Sequence, residues 1–109
     1  MAQQLEKELD FTLAFERTAQ KFKALADPKR LELLKLICEK GSVCVCDLVE
    51  EMDMPQSKLS YHLKILLNAE LLTKETKGTW SYYALNNPEI KRLIAADICR
   101  LIDPSCRTH

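Results

Sequence analysis

Five cysteines, Cys38, Cys44, Cys46, Cys99 and Cys106, are the residues of this chain whose type and spacing suit chemistry. Thiolate binds soft ions and reacts with oxidants, and a thiol that does neither packs as a small apolar group. An odd number argues against a closed disulfide framework, so the cysteines are read as reduced thiols serving packing, metal binding or redox sensing. Cys44 and Cys46 form the tightest pair. They flank the start of a short helix that Asp47 can cap and that runs through Met52. A helix N-terminus offers unpaired backbone donors that favour thiolate. Residues at i and i+2 of a regular helix point about 200° apart, so this pair cannot hold one ion from such a helix. Extended or unwound backbone could aim both sulfurs together. A disulfide within Cys-Val-Cys closes a strained small ring, whereas Cys99 with Cys106, or a pair across two subunits, closes more easily. Cys38 shares an apolar stripe with Leu31, Leu34 and Ile37 and is read as core packing. The histidines are His62 and His109. His62 borders an apolar stripe, which favours a structural role, and Asp97 and Asp103 alone make a poor transition-metal site.

These thiols are set among segments of clear periodicity. Leu9, Leu13, Phe15, Phe22 and Leu25 mark an apolar stripe on a first helix over about 5–25. Asp27-Pro28 restarts the chain, with Asp27 as N-cap and Pro28 at the first helical position, and Gly41 ends this second helix. After the short cysteine-led helix, Pro55 opens a segment over about 55–69 that carries Leu59, Leu63, Leu66 and Leu67 on one face. Its other face presents Ser57, Tyr61 and Lys64, flanked by Gln56, Lys58 and Ser60, with no carboxylate until Glu70. Two helices joined by a short turn, the second with such a face, make a helix-turn-helix whose second helix suits a major groove.

The period then changes to two, over about 71–85. Leu71 to Glu75 is one strand, Lys77-Gly78 the turn, and Trp80 to Leu85 the return. With Lys74, Lys77 and Thr79 this hairpin is a basic wing beside the recognition helix. Asn87 as N-cap and Pro88 at the first position begin a last helix over about 88–102, whose stripe of Ile90, Leu93, Ile94, Ile98, Leu101 and Ile102 needs a partner. The fold class is therefore mainly α with a small β-hairpin (α+β). One winged helix-turn-helix domain spans residues 1–109 and forms a homodimer through its first and last helices.

Composition narrows the function. A 47% hydrophobic content excludes a disordered chain. The formal net charge is zero, but Lys58, Lys64, Lys74 and Lys77 outnumber Glu70 and Glu75 across the recognition helix and wing. A gathered basic face serves DNA binding better than whole-chain charge indicates. Gln56, Ser57, Ser60 and Tyr61 are assigned to bases and nearby phosphates, Lys58 and Lys64 to phosphate, and Lys74, Lys77 and Thr79 to the wing. The N-terminus lacks the pattern of a signal peptide, and no segment approaches the roughly 20 apolar residues of a membrane span. A cytoplasmic protein without membrane contact is expected.

The stretches FKALADPKRLELL, VCVCDL, QSKLSYHLKILLNAELL and GTWSYYALN, in this order, resemble the ArsR/SmtB family of winged-helix metal-sensing repressors. The resemblance is close from Lys21 to Pro88 and looser elsewhere, and CVCDL resembles the arsenic-sensing branch. It implies a homodimeric repressor of an arsenical resistance operon. Such a repressor binds an inverted repeat in double-stranded operator DNA and lets go when arsenite or antimonite binds, with no organic cofactor. Both ions are soft and prefer three sulfurs, whereas zinc, cadmium and lead accept thiolate but often want a fourth ligand. Some relatives place a third cysteine three residues after the second, where this chain has Val49. A third thiolate must then come from Cys99, Cys106 or Cys38, or be absent. The several last-helix histidines and carboxylates of zinc-sensing relatives have no counterpart here. Nor does the family's N-terminal cysteine cluster for cadmium and lead, since no cysteine precedes Cys38. Ligation of Cys44 and Cys46 is expected to hold the start of their helix in a non-helical form and so displace the recognition helix.

Other readings stay open at this point. One is a thiol redox-sensing repressor of the same fold, and another a cadmium-, lead- or zinc-responsive repressor. A small thiol oxidoreductase is a third, but the chain has no CxxC on a strand–helix unit, no GxGxxG, and Asp47 as the one acid–base group near the thiols. A bare dimerisation module is the plainest.

Overall fold

The computed structural model describes the backbone of residues 2–95 and the side chains of residues 11–91 and 93. Helices α1 (Ala2–Leu25) and α2 (Pro28–Lys40) lead to a short strand β1 (Ser42–Cys44). Helices α3 (Val45–Met52) and α4 (Gln56–Asn68), strands β2 (Leu72–Lys77) and β3 (Trp80–Leu85), and helix α5 (Asn87–Ala95) follow. Cys99, Cys106 and the far part of the expected last helix lie outside the described residues.

Local chemistry explains most boundaries. Asp27 Oδ1 accepts from the backbone N–H of Lys29 at 2.8 Å and of Arg30 at 3.2 Å, so it caps α2 as expected, with Pro28 in the first turn. Gly41 ends α2 at φ 84°, and its N–H returns to Ile37 O. The last helix starts one residue earlier than the sequence suggested. Asn86 occupies the cap, its carbonyl accepting from Ile90 N, and its side-chain amide donates instead to Glu70 O at 2.8 Å.

Four points of the sequence reading change. A strand had not been expected before α3, yet β1 pairs with β3 in a sheet of order β1-β3-β2. Its three residues are too few for periodicity to register. The helix that follows begins at Val45, with Cys44 rather than Asp47 in the cap position and Asp47 in the first turn. The first wing strand runs further than expected, to the Lys77–Trp80 pair, so the tip is Gly78-Thr79, while the return strand keeps its expected bounds. Gly78 takes φ 64° at the first turn position, the conformation a tight hairpin turn of type II′ asks of glycine. Finally, Cys38 is exposed. The buried turn of α2 is Leu33 and Ile37, and Cys38 lies about 100° round the helix from Ile37, on the side of Lys35 and the half-exposed Leu31.

The core gathers Leu33 and Ile37 of α2, Leu48 of α3, and Leu59, Leu63 and Leu66 of α4 under Leu71 and Tyr83. Each leucine or isoleucine of this set is essentially inaccessible to water, and burying one contributes about 1.5–3 kcal/mol. Lys21 is buried at the edge. It ties α1 to the α4–β2 turn and to α5 through Glu70 at 4.0 Å and Glu89 at 3.8 Å.

Candidate metal and nucleic-acid sites

Cys44 ends β1 with extended backbone (φ −86°, ψ 160°), and Cys46 lies one residue inside α3. The pair therefore straddles a strand–helix junction. Its sulfurs are joined as a disulfide across a Cα–Cα separation of 5.5 Å, where the sequence reading expected reduced thiols. Because Cys44 is not helical, the 200° divergence does not apply, and α3 need not unwind for the sulfurs to meet. Cys44 Sγ lies 3.4 Å from Asp47 Oδ2, within reach for a reduced thiol to donate its proton to that carboxylate. The cap and third positions of a helix face one another, which is why residues 44 and 47 touch.

Ligand atoms of Cys44, Cys46 and Asp47 lie within 4.8 Å of one another, the one such metal-competent group among the described residues. Cys44 is buried, Cys46 and Asp47 are exposed, so an ion can enter from solvent. Two soft donors and one hard one fit a thiophilic ion bonded chiefly through sulfur. Sequence reasoning had looked for a third donor among the cysteines. The i, i+3 relation of Cys44 to Asp47 was the available signal for the carboxylate. Cys38 stands apart on α2, and Cys99 and Cys106 are outside the described residues.

The junction touches two neighbours. Through β1, Cys44 pairs with Tyr82 and Val43 with Tyr83 of β3. Through α3, Leu48 enters the core with Leu59 and Leu63 of α4. The turn between α3 and α4 passes through Asp53 in the left-handed region (φ 48°) and the buried Met54.

On α4 the sequence-assigned residues Gln56, Ser57, Lys58, Ser60, Tyr61 and Lys64 are all exposed, opposite the buried leucines. Tyr61 is 61% exposed, much for an aromatic side chain. On the hairpin, Lys74, Lys77 and Thr79 are likewise exposed. Lys74 Nζ lies 5.9 Å from the Tyr83 ring centre and Lys77 Nζ 5.6 Å from that of Tyr82, so ring faces steady both ammonium groups. Ile65 is partly buried against the core.

His62 is structural, as its place in the stripe indicated. It is buried, and its Nδ1 lies 3.2 Å from Arg30 Nη1. A guanidinium only donates, so Nδ1 accepts and the ring is neutral. Burial, with the Arg30 charge, holds His62 below its ordinary value of 6.5, against the opposing pull of Asp27. The backbone N–H of Arg30 above all, with that of Lys29 and the Arg30 charge, holds Asp27 below 3.8.

Residues 27–74 match the model of a bacterial regulatory protein family, the arsR family. The arsenical resistance operon repressor of Bacillus subtilis is 62% identical over 80 residues, 73% of this chain and 76% of that protein. A cadmium resistance transcriptional regulatory protein (CadC homologue) of Staphylococcus aureus is 30% identical over 76 residues, covering 70% and 63%. A solution structure from Mycobacterium bovis, a homodimeric winged helix-turn-helix DNA-binding domain of a possible ArsR-family regulator, superposes with a TM-score of 0.69. It shares 26% identity and covers 90% of this chain and 89% of that one. The fold is thus a winged helix-turn-helix with the β2–β3 hairpin as its wing, and the chain belongs to the arsR family of bacterial regulatory proteins, which are transcriptional regulators rather than enzymes.

Proposed function

We propose that this protein is a homodimeric repressor of an arsenical resistance operon. It binds an inverted-repeat operator through α4 and the β2–β3 wing and is released when As(III) or Sb(III) bonds to Cys44 and Cys46. The observation that carries this reading is the meeting of two cysteine sulfurs at the hinge between a strand laddered to the wing and a helix packed on α4. The arsenical resistance name of a relative 62% identical over 80 residues supports arsenic over cadmium, whose named relative is 30% identical.

Once a dithiol reductant has taken over the disulfide bond and left two thiols, each bond forms as a thiol replaces a hydroxyl of arsenous acid, the thiol proton leaving with that hydroxyl as water. Asp47, or a cysteine beyond the described residues, supplies the third donor. An ion seated between the two sulfurs must part them, and they sit on different elements. Movement of Cys44 strains the β1–β3 ladder, and movement of Cys46 shifts α3 against α4. Binding energy that favours one backbone arrangement over another is what coupling between two sites requires.

Operator binding by fluorescence anisotropy tests the reading, in reducing buffer, with arsenite, zinc and cadmium titrated separately. Release by arsenite that is lost in Cys44→Ser and in Cys46→Ser is the expected result. The same titration on Cys99→Ser and Cys106→Ser identifies a third thiolate. Release by oxidant but by no ion would overturn the arsenic reading in favour of a redox switch at the same pair.

A further inference from the structure

Arg30 is 12% exposed at its side chain and uses all three guanidinium nitrogens. Nε donates to Ala24 O at 2.7 Å and Nη2 to Lys23 O at 3.3 Å, two carbonyls of the last turn of α1. Nη1 donates to His62 Nδ1 on α4 at 3.2 Å and lies 3.7 Å from Asp27 Oδ2 at the head of α2. One planar group thus gives Ala24 O a partner and adds a second donor to Lys23 O, which also accepts from Ala26 N, and it grips the recognition helix by a buried acceptor. The sulfur site takes no part in this arrangement.

We propose that Arg30 is a positioning residue for operator recognition. Its guanidinium holds α4 at one angle to α1 and so sets the half-site separation that the dimer accepts. The inference rests on the repressor reading above, in which α1 contributes to the dimer. In a two-fold dimer the distance and rotation between the recognition helices must match the DNA repeat. The subunit interface fixes one end of that relation. The joint between α1 and α4 fixes the other, and Arg30 spans that joint through the C-terminal carbonyls of α1. Lysine keeps the charge but brings a point donor in place of the fork, so it cannot hold both carbonyls and the imidazole in one geometry.

The test uses full-length protein and duplexes built on the inverted repeat protected by footprinting of the gene's own upstream DNA. One set keeps the natural spacing, and others insert or delete one or two base pairs between the half-sites. The readout is the ratio of Kd values between altered and natural spacing. Partial unfolding lowers every affinity alike and leaves that ratio unmoved, so a merely structural role is separated from a positioning one. Wild-type protein is expected to lose about tenfold on a one-base-pair change, the order that a mismatched pair costs. Arg30→Lys and His62→Leu are expected to bring the ratio close to one. His62→Asn, whose Oδ1 can take the place of Nδ1, is expected to restore it. Arg30→Lys and His62→Leu proteins that keep the wild-type ratio would overturn the inference and leave the repressor reading standing. A wild-type protein that binds none of the duplexes would overturn both.

Discussion

His62 and Asp27 show how single groups in this chain carry pH dependence in opposite protonation states but with one direction of effect. His62 is held neutral in the folded protein by burial and the Arg30 charge, and the unfolded chain takes up a proton more readily. Its contribution is whole above pH 6.5 and is lost as pH falls from there through the lower folded value. Asp27 is held charged, chiefly by the backbone N–H of Arg30, so its contribution is whole above pH 3.8 and is lost as pH falls from there through the lower folded value. The thermal midpoint should therefore be flat with respect to His62 down to pH 6.5 and then decline before Asp27 begins to titrate. His62→Asn should remove the upper decline. A midpoint that falls identically in both proteins would sink this assignment. At the cysteines, exposure separates roles. Cys38 is open to solvent on α2 and outside the Cys44–Cys46–Asp47 group, so Cys38→Ser should leave arsenite release unchanged while Cys46→Ser abolishes it.

Among the elements, α4 and the hairpin divide the work expected of them at DNA. The wing lysines are ammonium groups steadied over tyrosine rings at the hairpin surface, a placement suited to phosphate and indifferent to base sequence. Lys77→Ala is expected to weaken binding to operator and scrambled DNA alike and to reduce the slope of log K against log salt by about one. Tyr61 projects from the exposed face of α4, where base edges are read. Its replacement by alanine should lower the ratio of operator to scrambled affinity, and an unchanged ratio would move recognition elsewhere on the helix. The opposite face of α4 is committed to the core. Leu59→Ala, at a side chain with no exposure, should cost about 2–5 kcal/mol in urea unfolding, much of a small domain's stability. The β1–β3 ladder is the element that the sequence reading lacked. It gives the thiol pair a route to the wing that does not pass through α4.

Across the whole molecule the conspicuous feature is an uncovered apolar face on α1. Phe11, Phe15 and Phe22 share one side of the helix and are each between 41% and 49% exposed, Phe11 packing on Phe15 with ring centres 6.3 Å apart, while the exposed Leu13 lies on the opposite side. Such a patch on a folded chain marks an interaction surface, and a second copy is the occupant proposed here. The homodimeric state of the Mycobacterium bovis domain agrees with that choice. Phe15→Glu is expected to halve the mass in sedimentation equilibrium while leaving helical circular dichroism intact. Operator affinity should fall with it, because a monomer engages one half-site. A dimer that survives the substitution would place the interface away from this face.

The sequence by itself determined the order of helices, the caps at Asp27 and Gly41, the two faces of α4, the hairpin and the metal-competent pair. Those features rest on local rules: helical and strand periods, capping chemistry and turn residues act over a few positions and leave a readable pattern. Tertiary structure alone decided the rest. A three-residue strand has no period to read, so β1 exists because β3 offers it a ladder, and that pairing draws Cys44 out of the helix and turns its sulfur toward Cys46. Which flank of α2 is covered depends on what packs there, so Leu33 went inside and Cys38 out. The grip of Arg30 on His62 joins residues 32 positions apart. Nothing local links them, and only the folding of α2 against α4 brings the fork to its acceptor.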